Sequence, residues 1–485
     1  MNIKIVRYFV SKLIQVEAGL MLLPCLISLI YGEPFSNLLS FLIAMGIIFL
    51  ISFVITTKKP ELKTLHTKEG MLIVALTWIS WTCFGALPFV ISGEIPFYID
   101  AVFEMASGFS TTGASILRDV ESLSHSTLFW RSFSHLIGGM GVLVFALAIF
   151  PTGASETVHL MRAEVPGPRF GKLVSKLKET ALILYTIYFV LTLITVILLI
   201  FGGMNVFDSF CHSFGIAGTG GFSTRNASIG FYNSAYIEWV TGMMMLMFGM
   251  NFNLFYMVIL GQVVSVFRNE ELRVYLSVII SATGIITLTN HLNGIYTDLA
   301  TNIRHTFFSV SSVITTTGYL TVDFSDWALT ALTIFALLMF IGGMAGSTGG
   351  GFKVARLTIA GKSMFNEFRL MQNPRRVTVT KFNQSPLTVD QVTRIRNYSL
   401  AYIFCLVLII LLITPDTPDM QTAISAGMNT FNNIGVGFAT DGSSVPFTDY
   451  NVFSKIVLIF SMIAGRLEIY PLIVLLSPNT YLSKS

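Results

Sequence analysis

The chain has 485 residues, 53% hydrophobic and only 12% charged, where soluble proteins carry about 25% charged residues. This composition excludes a set of soluble domains, and the net charge of +4 informs only through its distribution along the chain. Cys25, Cys83, Cys211 and Cys405 lie in or beside apolar segments without CxxC spacing, so they read as small apolar side chains rather than a disulfide framework or zinc site.

A membrane-spanning helix needs roughly 20 apolar residues. Ten stretches qualify: 9–31, 35–55, 71–92, 128–150, 180–202, 235–262, 272–296, 327–360, 396–414 and 451–477. Lys4, Arg7 and Lys12 precede the first, which leads directly into the second, so it reads as a retained span rather than a cleaved signal. An even number of spans puts both termini on one side. With the N-terminus inside, the inner segments hold 24 of the 30 Lys and Arg residues, and the outer segments hold only Arg118, Arg131, Arg225 and Arg304. Lys and Arg favour the cytoplasmic side, so both termini are expected there. Lys455 and Arg466 fall within the last span. Fifteen acids, among them Glu104, Asp208 and Asp441, lie on the outer side. Such a face would concentrate cations if it surrounds a pore, and is otherwise a solvated acidic rim.

From residue 71 the spans fall into pairs. Between the members of each pair lies a short helical stretch, at 97–109, 205–217, 300–314 and 419–431, followed by a polar turn. The turns read STTGAS at 110–115, GTGGFS at 218–223, TTTGYL at 315–320 and NIGVGF at 433–438. Gly113, Gly220, Gly318 and Gly435 recur at intervals of 107, 98 and 117 residues. About 14 residues at 1.5 Å each span some 20 Å, little more than half a membrane. Each unit is therefore span, half-helix, polar loop, span. Non-helical backbone at membrane depth is tolerated only where it lines a water-filled path or is buried in protein. The predicted architecture is all-α and transmembrane: four pseudo-symmetric repeats around one pore at 69–178, 179–270, 271–390 and 391–485, after a two-helix segment at 1–68.

Four such loops can direct backbone carbonyls at one axis and replace the water of an alkali cation. Successive carbonyls point the same way only if some residues take left-handed angles, which glycine does without steric cost. Threonine can add a hydroxyl oxygen, and each half-helix would aim its negative C-terminal end at the ion. The candidate filter residues are Thr111, Thr112 and Gly113; Thr219, Gly220 and Gly221; Thr316, Thr317, Gly318 and Tyr319; and Asn433, Ile434, Gly435 and Val436.

These turns resemble the filter loops of the Trk/Ktr/HKT superfamily of cation transporters. IGGMGVLVF at 137–145, FIGGMAGSTGGGFKV at 340–354 and AGRLEIYPL at 464–472 resemble its second helices, and the two extra N-terminal spans match its Trk branch, with TrkH-type pore subunits. The resemblance implies potassium selectivity, since filter glycines stand in all four repeats and Gly113 occupies the position where serine goes with sodium entry. It also implies a bacterial inner-membrane protein that forms homodimers. A cytosolic TrkA-type subunit would carry the nucleotide-binding domains and face the basic 353–396 segment. No cofactor is implied beyond the potassium ion in the filter, and no enzymatic activity.

The span 327–360 carries six glycines in ten residues, which should break a helix. The resemblance makes Gly346, Ser347, Thr348, Gly349, Gly350 and Gly351 part of an intramembrane loop that obstructs the cavity below the filter, and places Arg466 beside it. From the residues alone, Arg466 could repel the permeant ion, pair with Glu468 or cap loop carbonyls. GSTGGGFK at 346–353 lacks the Gly-Lys-Ser/Thr ending of a phosphate loop, so an ATPase is not expected. Lys353 reads as an interfacial anchor. His135, His212, Asn251 and Asn253 read as packing or inter-helix polar contacts without an assigned role. A secondary transporter coupling potassium to sodium or protons remains the alternative, kept open by the broken eighth span.

Overall fold

The computed structural model describes residues 3–56, 67–141, 177–437, 447–478 and 480. The N-terminal segment comprises α1 (Ile3–Leu20), α2 (Leu22–Ile30) and α3 (Phe35–Thr56). The first repeat follows with α4 (Thr67–Gly85), α5 (Leu87–Ser92), the half-helix α6 (Tyr98–Ser110) and α7 (His125–Gly139). The second has α8 (Leu177–Phe201), half-helix α9 (Val206–Gly218), α10 (Ala235–Phe248), α11 (Phe252–Ile259) and α12 (Val263–Phe267). The third has α13 (Glu270–Leu292), half-helix α14 (Leu299–Ile314), α15 (Leu329–Ile341) and α16 (Val354–Gln372). A small hairpin, β1 (Lys381–Phe382) with β2 (Ser385–Pro386), leads to the fourth: α17 (Val389–Ile413), half-helix α18 (Met420–Asn432), α19 (Val452–Arg466) and α20 (Tyr470–Leu476).

All four half-helices lie within one residue of the expected stretches at each end. Three begin on an Asx cap: Asn205 accepts from the N–H of Asp208, Asp298 from Ala300 and Thr301, and Asp419 from Thr422. Leu50, Phe201, Ile280 and Leu411 point outward and exposed, as expected of a lipid-facing surface.

Among the described residues the glycine break expected in the eighth stretch is present, and the sixth and the last are broken as well. Among the described residues, six helical segments are long and apolar enough to cross a membrane, or seven if one bent pair counts as a span. The fourth predicted span runs as α7 to Gly139, and its residues from 142 on lie outside the described residues. The sixth bends by 93° between α10 and α11. Gly249 ends one helix there, and Asn251 starts the next by accepting from the N–H of Asn253 at 2.9 Å. The eighth leaves the helix at Gly342 (φ +72°). The last breaks at Leu467–Ile469, where Glu468 and Ile469 have φ of +59° and +69°.

One indole ties the N-terminal segment to the first repeat, and a second ties two helices of that repeat together. Trp81 donates to the carbonyl of Leu13 at 3.2 Å, and Trp130 to that of Gly85, where α4 breaks, at 3.0 Å.

Candidate functional site

The four polar turns share one backbone geometry. Thr111, Thr219, Thr316 and Asn433 are left-handed, with φ of 56°, 56°, 59° and 55°. A non-glycine residue pays roughly 1–2 kcal/mol for this conformation, and four of them at equivalent points mark a built site. The next residue in each turn is Thr112, Gly220, Thr317 or Ile434. Its N–H bonds the carbonyl five residues back, on Ser107, Gly215, Ser312 or Asn429, at 2.8–3.0 Å. Each half-helix thus ends in the same hydrogen-bonded cap.

This equivalence corrects the second repeat. Within the four turns, the glycines with φ near 80° are Gly113, Gly221, Gly318 and Gly435, so the counterpart of Gly113 is Gly221 and not Gly220. Gly220 corresponds to Thr112, and its missing side chain leaves room for the ring of His135.

The glycines also show how the turns meet. A Cβ on Gly113 would overlap the carbonyl oxygen of Gly220, one on Gly221 that of Thr317, and one on Gly318 that of Ile434. A Cβ on Gly435 would stand 2.6 Å from the carbonyl oxygen of Thr112. First meets second, second third, third fourth and fourth first, so the loops close a ring. Next to it, Thr111 Oγ1 and Asn433 Oδ1 are buried with no hydrogen-bond partner among the described residues. Neutral oxygen donors and four half-helix C-termini suit a dehydrated alkali cation. Among the described residues no cluster of three His, Cys, Asp or Glu side chains forms a metal site.

Each turn is tethered by a side chain of its own half-helix. In the first, Glu104 accepts from the Ser115 hydroxyl at 2.9 Å and the N–H of Ile116 at 3.0 Å. Arg131 bonds the same carboxylate at 2.6 and 2.8 Å, and both residues are fully buried. At the equivalent positions of the second repeat, His212 Nε2 lies 2.9 Å from the Ser223 hydroxyl. Ser312 donates to the carbonyl of Tyr319 at 2.7 Å, and Asn429 accepts from the N–H of Gly435 at 2.8 Å. His212 therefore holds the second turn through the Ser223 side chain, and His135 accepts from the N–H of Phe222 in the same turn at 3.3 Å, contacts their local sequence did not signal. Replacing Glu104 by alanine strands the buried Arg131 cation. It is expected to cost about 3–5 kcal/mol, read as a lower melting temperature in detergent; a loss below about 1 kcal/mol would mean the pair is not needed.

The outer acids are largely structural. All four outer arginines are paired: Arg118 with Asp449, Arg131 with Glu104, Arg225 with Asp208 and Arg304 with Glu238. Glu94 and Glu33 accept from the N–H groups of Ser124 and Ser126 at the start of α7. Asp119 joins the segments beyond the first two turns. The Asn226 amide, at 2.8 Å, and the N–H of Glu121 hold its carboxyl below the usual carboxylate range. Asp441 lies outside the described residues.

The glycine loop, 342–353, sits against the turns. The N–H of Gly350 donates to Thr316 Oγ1 at 2.6 Å. A Cβ on Gly350 would overlap the carbonyl oxygen of Asn432, and one on Gly349 would stand 2.9 Å from that of Thr315. The loop is moored in the bend of the second repeat: Met344 donates to Gly249 at 3.0 Å, and Phe252 to Gly346 at 3.1 Å. Glu271 accepts from the N–H of Ala345 at 2.6 Å. Arg466 donates to the carbonyls of Thr348 (2.6 Å), Gly138 (2.5 Å) and Gly139 (2.6 Å). Of its three possible roles, capping loop carbonyls is the one the geometry displays; Glu468 instead pairs with Arg356 at 2.6 Å. Lys353 is no interfacial anchor. It is 3% exposed, and its amine donates to the carbonyl of Gly349. Asn251 packs against Gly346, a contact its reading as inter-helix glue did not locate.

A family model described as a TrkH cation transport protein matches residues 39–484. The chain is 34% identical to the Trk system potassium uptake protein TrkH of Escherichia coli over 486 residues, 99% of each chain. It is 33% identical to the protein of the same name from Vibrio parahaemolyticus over 494 residues, 100% of each. The crystal structure of the potassium transporter TrkH from Vibrio parahaemolyticus matches with a TM-score of 0.89 and 30% identity, covering 100% of both chains. Matching over its whole length in sequence and in fold, with four equivalent turns at its centre, the chain belongs to the TrkH family of cation transport proteins.

Proposed function

We propose that this protein carries potassium into a bacterial cell across the cytoplasmic membrane, through a selective pore whose filter is the ring of four turns. The observation that carries the reading is the cyclic meeting of carbonyl and glycine from turn to turn. The filter residues are Thr111 to Gly113, Thr219 to Gly221, Thr316 to Tyr319 and Asn433 to Val436. Residues 346–351, held by Arg466, form the gate that lies against Thr316 and Asn432.

A pore that remained open would dissipate the membrane potential, so the gate needs a controller. In this reading it is a cytosolic TrkA-type subunit that binds nucleotide. It docks on the basic 353–396 segment, where Arg375, Arg376, Lys381, Arg394 and Arg396 are exposed. Two copies of the chain form the working unit, with their termini in the cytoplasm. The protein transports and does not catalyse.

The test is cation flux into liposomes holding the purified chain, under potassium or sodium gradients. Downhill potassium flux well above sodium flux supports the pore. No downhill flux of either ion, even after the loop is loosened, would overturn it. A reversal potential that moves with a sodium or proton gradient would point to coupled transport instead.

A further inference from the structure

Phe222 follows the filter glycine Gly221 and is 2% exposed. Its three parts are held by three different side chains. Its N–H donates to His135 Nε2 at 3.3 Å. Its ring lies under the Arg131 guanidinium, 4.1 Å from the centroid. Its carbonyl accepts from the Tyr319 hydroxyl at 3.0 Å.

Those side chains belong to the neighbouring repeats. Arg131 and His135 stand one helical turn apart on α7, so they present on one face. There they grip a matching pair on the half-helix of the first repeat: Arg131 bonds Glu104, and His135 Nδ1 lies 2.8 Å from the carbonyl of Gly108. With Nε2 accepting from Phe222, Nδ1 donates to Gly108, so one tautomer serves both bonds. Tyr319 belongs to the third turn. Its hydroxyl occupies the space left by the missing side chain of Gly215 and also reaches the carbonyl of His212 at 3.1 Å.

We propose that Phe222 is a positioning residue that sets the first three filter turns relative to one another, and through them the preference for potassium over sodium. Discrimination depends on how carbonyls are held around the ion, and Phe222 is where restraints from three turns converge. The fourth turn is joined differently: Asn433 donates to Thr112 Oγ1 at 2.8 Å and to the carbonyl of Met462 at 2.9 Å. The inference rests on the turns being the filter.

The experiment measures the potassium-to-sodium flux ratio in liposomes for Phe222→Leu, Tyr319→Phe, the double variant and Gly318→Ser. Phe222→Leu keeps apolar bulk but loses the ring over Arg131; Tyr319→Phe removes one hydroxyl and is the variant least able to disturb folding. Phe214→Leu serves as control, since Phe214 packs on Phe129 and Phe133. The expected result is a severalfold fall in ratio for each single variant, and a double variant whose loss is smaller than the product of the two, because the ring contact and the carbonyl contact position one and the same residue. An unchanged ratio in Tyr319→Phe, or single effects that multiply in the double, would overturn the proposal. If Gly318→Ser shifts the ratio while these variants do not, only this inference falls; if Gly318→Ser also leaves it unchanged, the filter reading falls first.

Discussion

Serine in place of Gly318 is expected to lower the potassium-over-sodium ratio by about tenfold or more, the change that about 1.4 kcal/mol in relative ion binding produces. The added Cβ would collide with the carbonyl oxygen of Ile434, an atom in the next quarter of the ring. At φ +81° the substitution also carries roughly 1–2 kcal/mol of backbone strain. The collision is relieved by displacing that carbonyl and the strain by turning the backbone of residue 318 itself, and either shift alters the cage around the ion. Gly203 separates the two causes: its φ is +90°, but a Cβ there meets nothing within 4 Å. Gly203→Ser should reduce stability and leave the ratio alone. If Gly318→Ser conducts with wild-type selectivity, the ring is not the filter.

The second large effect concerns Arg466. Glutamine there removes charge-assisted hydrogen bonds to Thr348, Gly138 and Gly139, each worth about 1.5–3 kcal/mol. Losing even about 1.4 kcal/mol from the loop's docked state favours the displaced state tenfold. Potassium flux through the purified chain, without any partner, should rise by about that factor or more. Arg466→Lys tells hydrogen bonding from charge. Lysine keeps the cation but cannot hold both sides of the gap with one fork, so flux should rise there too. A wild-type rate in the lysine variant and a raised one in the glutamine variant would show that Arg466 acts by repelling the ion. Reduced flux in both would mean that the loop is not what Arg466 restrains.

The half-helices were legible in the sequence because each lies between two apolar spans and runs into a glycine-containing polar turn; the Asn205, Asp298 and Asp419 caps at their starts agree with that placement. The second turn misled by one residue. Gly220 and Gly221 are adjacent and chemically identical, and only the backbone angle tells which one continues the ring. The helix breaks at Gly249–Asn251 and Leu467–Ile469 sat inside apolar runs, where hydropathy counts residues and ignores caps. Gly249 followed by Asn251 was a stop and a start that could have been read. The roles of His135 and Phe222 left no local trace, because their partners come together only when the repeats pack; Glu104 and His212 meet residues of their own turns, 11 or 12 positions on, once the turn folds back along its half-helix. Lys353 was misplaced for a similar reason: its neighbourhood is basic and cytosolic in sequence, while the carbonyl of Gly349 draws its amine inward.

All four quarters of the ring come from a single polypeptide, and this has a genetic consequence. In a filter assembled from four separate chains, one defective copy spoils nearly every assembly it enters. Here a chain with a ruined turn ruins only its own ring, whatever else it assembles with. Cells making equal amounts of wild-type and Gly318→Ser protein should therefore keep about half of the selective uptake carried by wild type alone, with the mutant allele behaving as recessive rather than dominant.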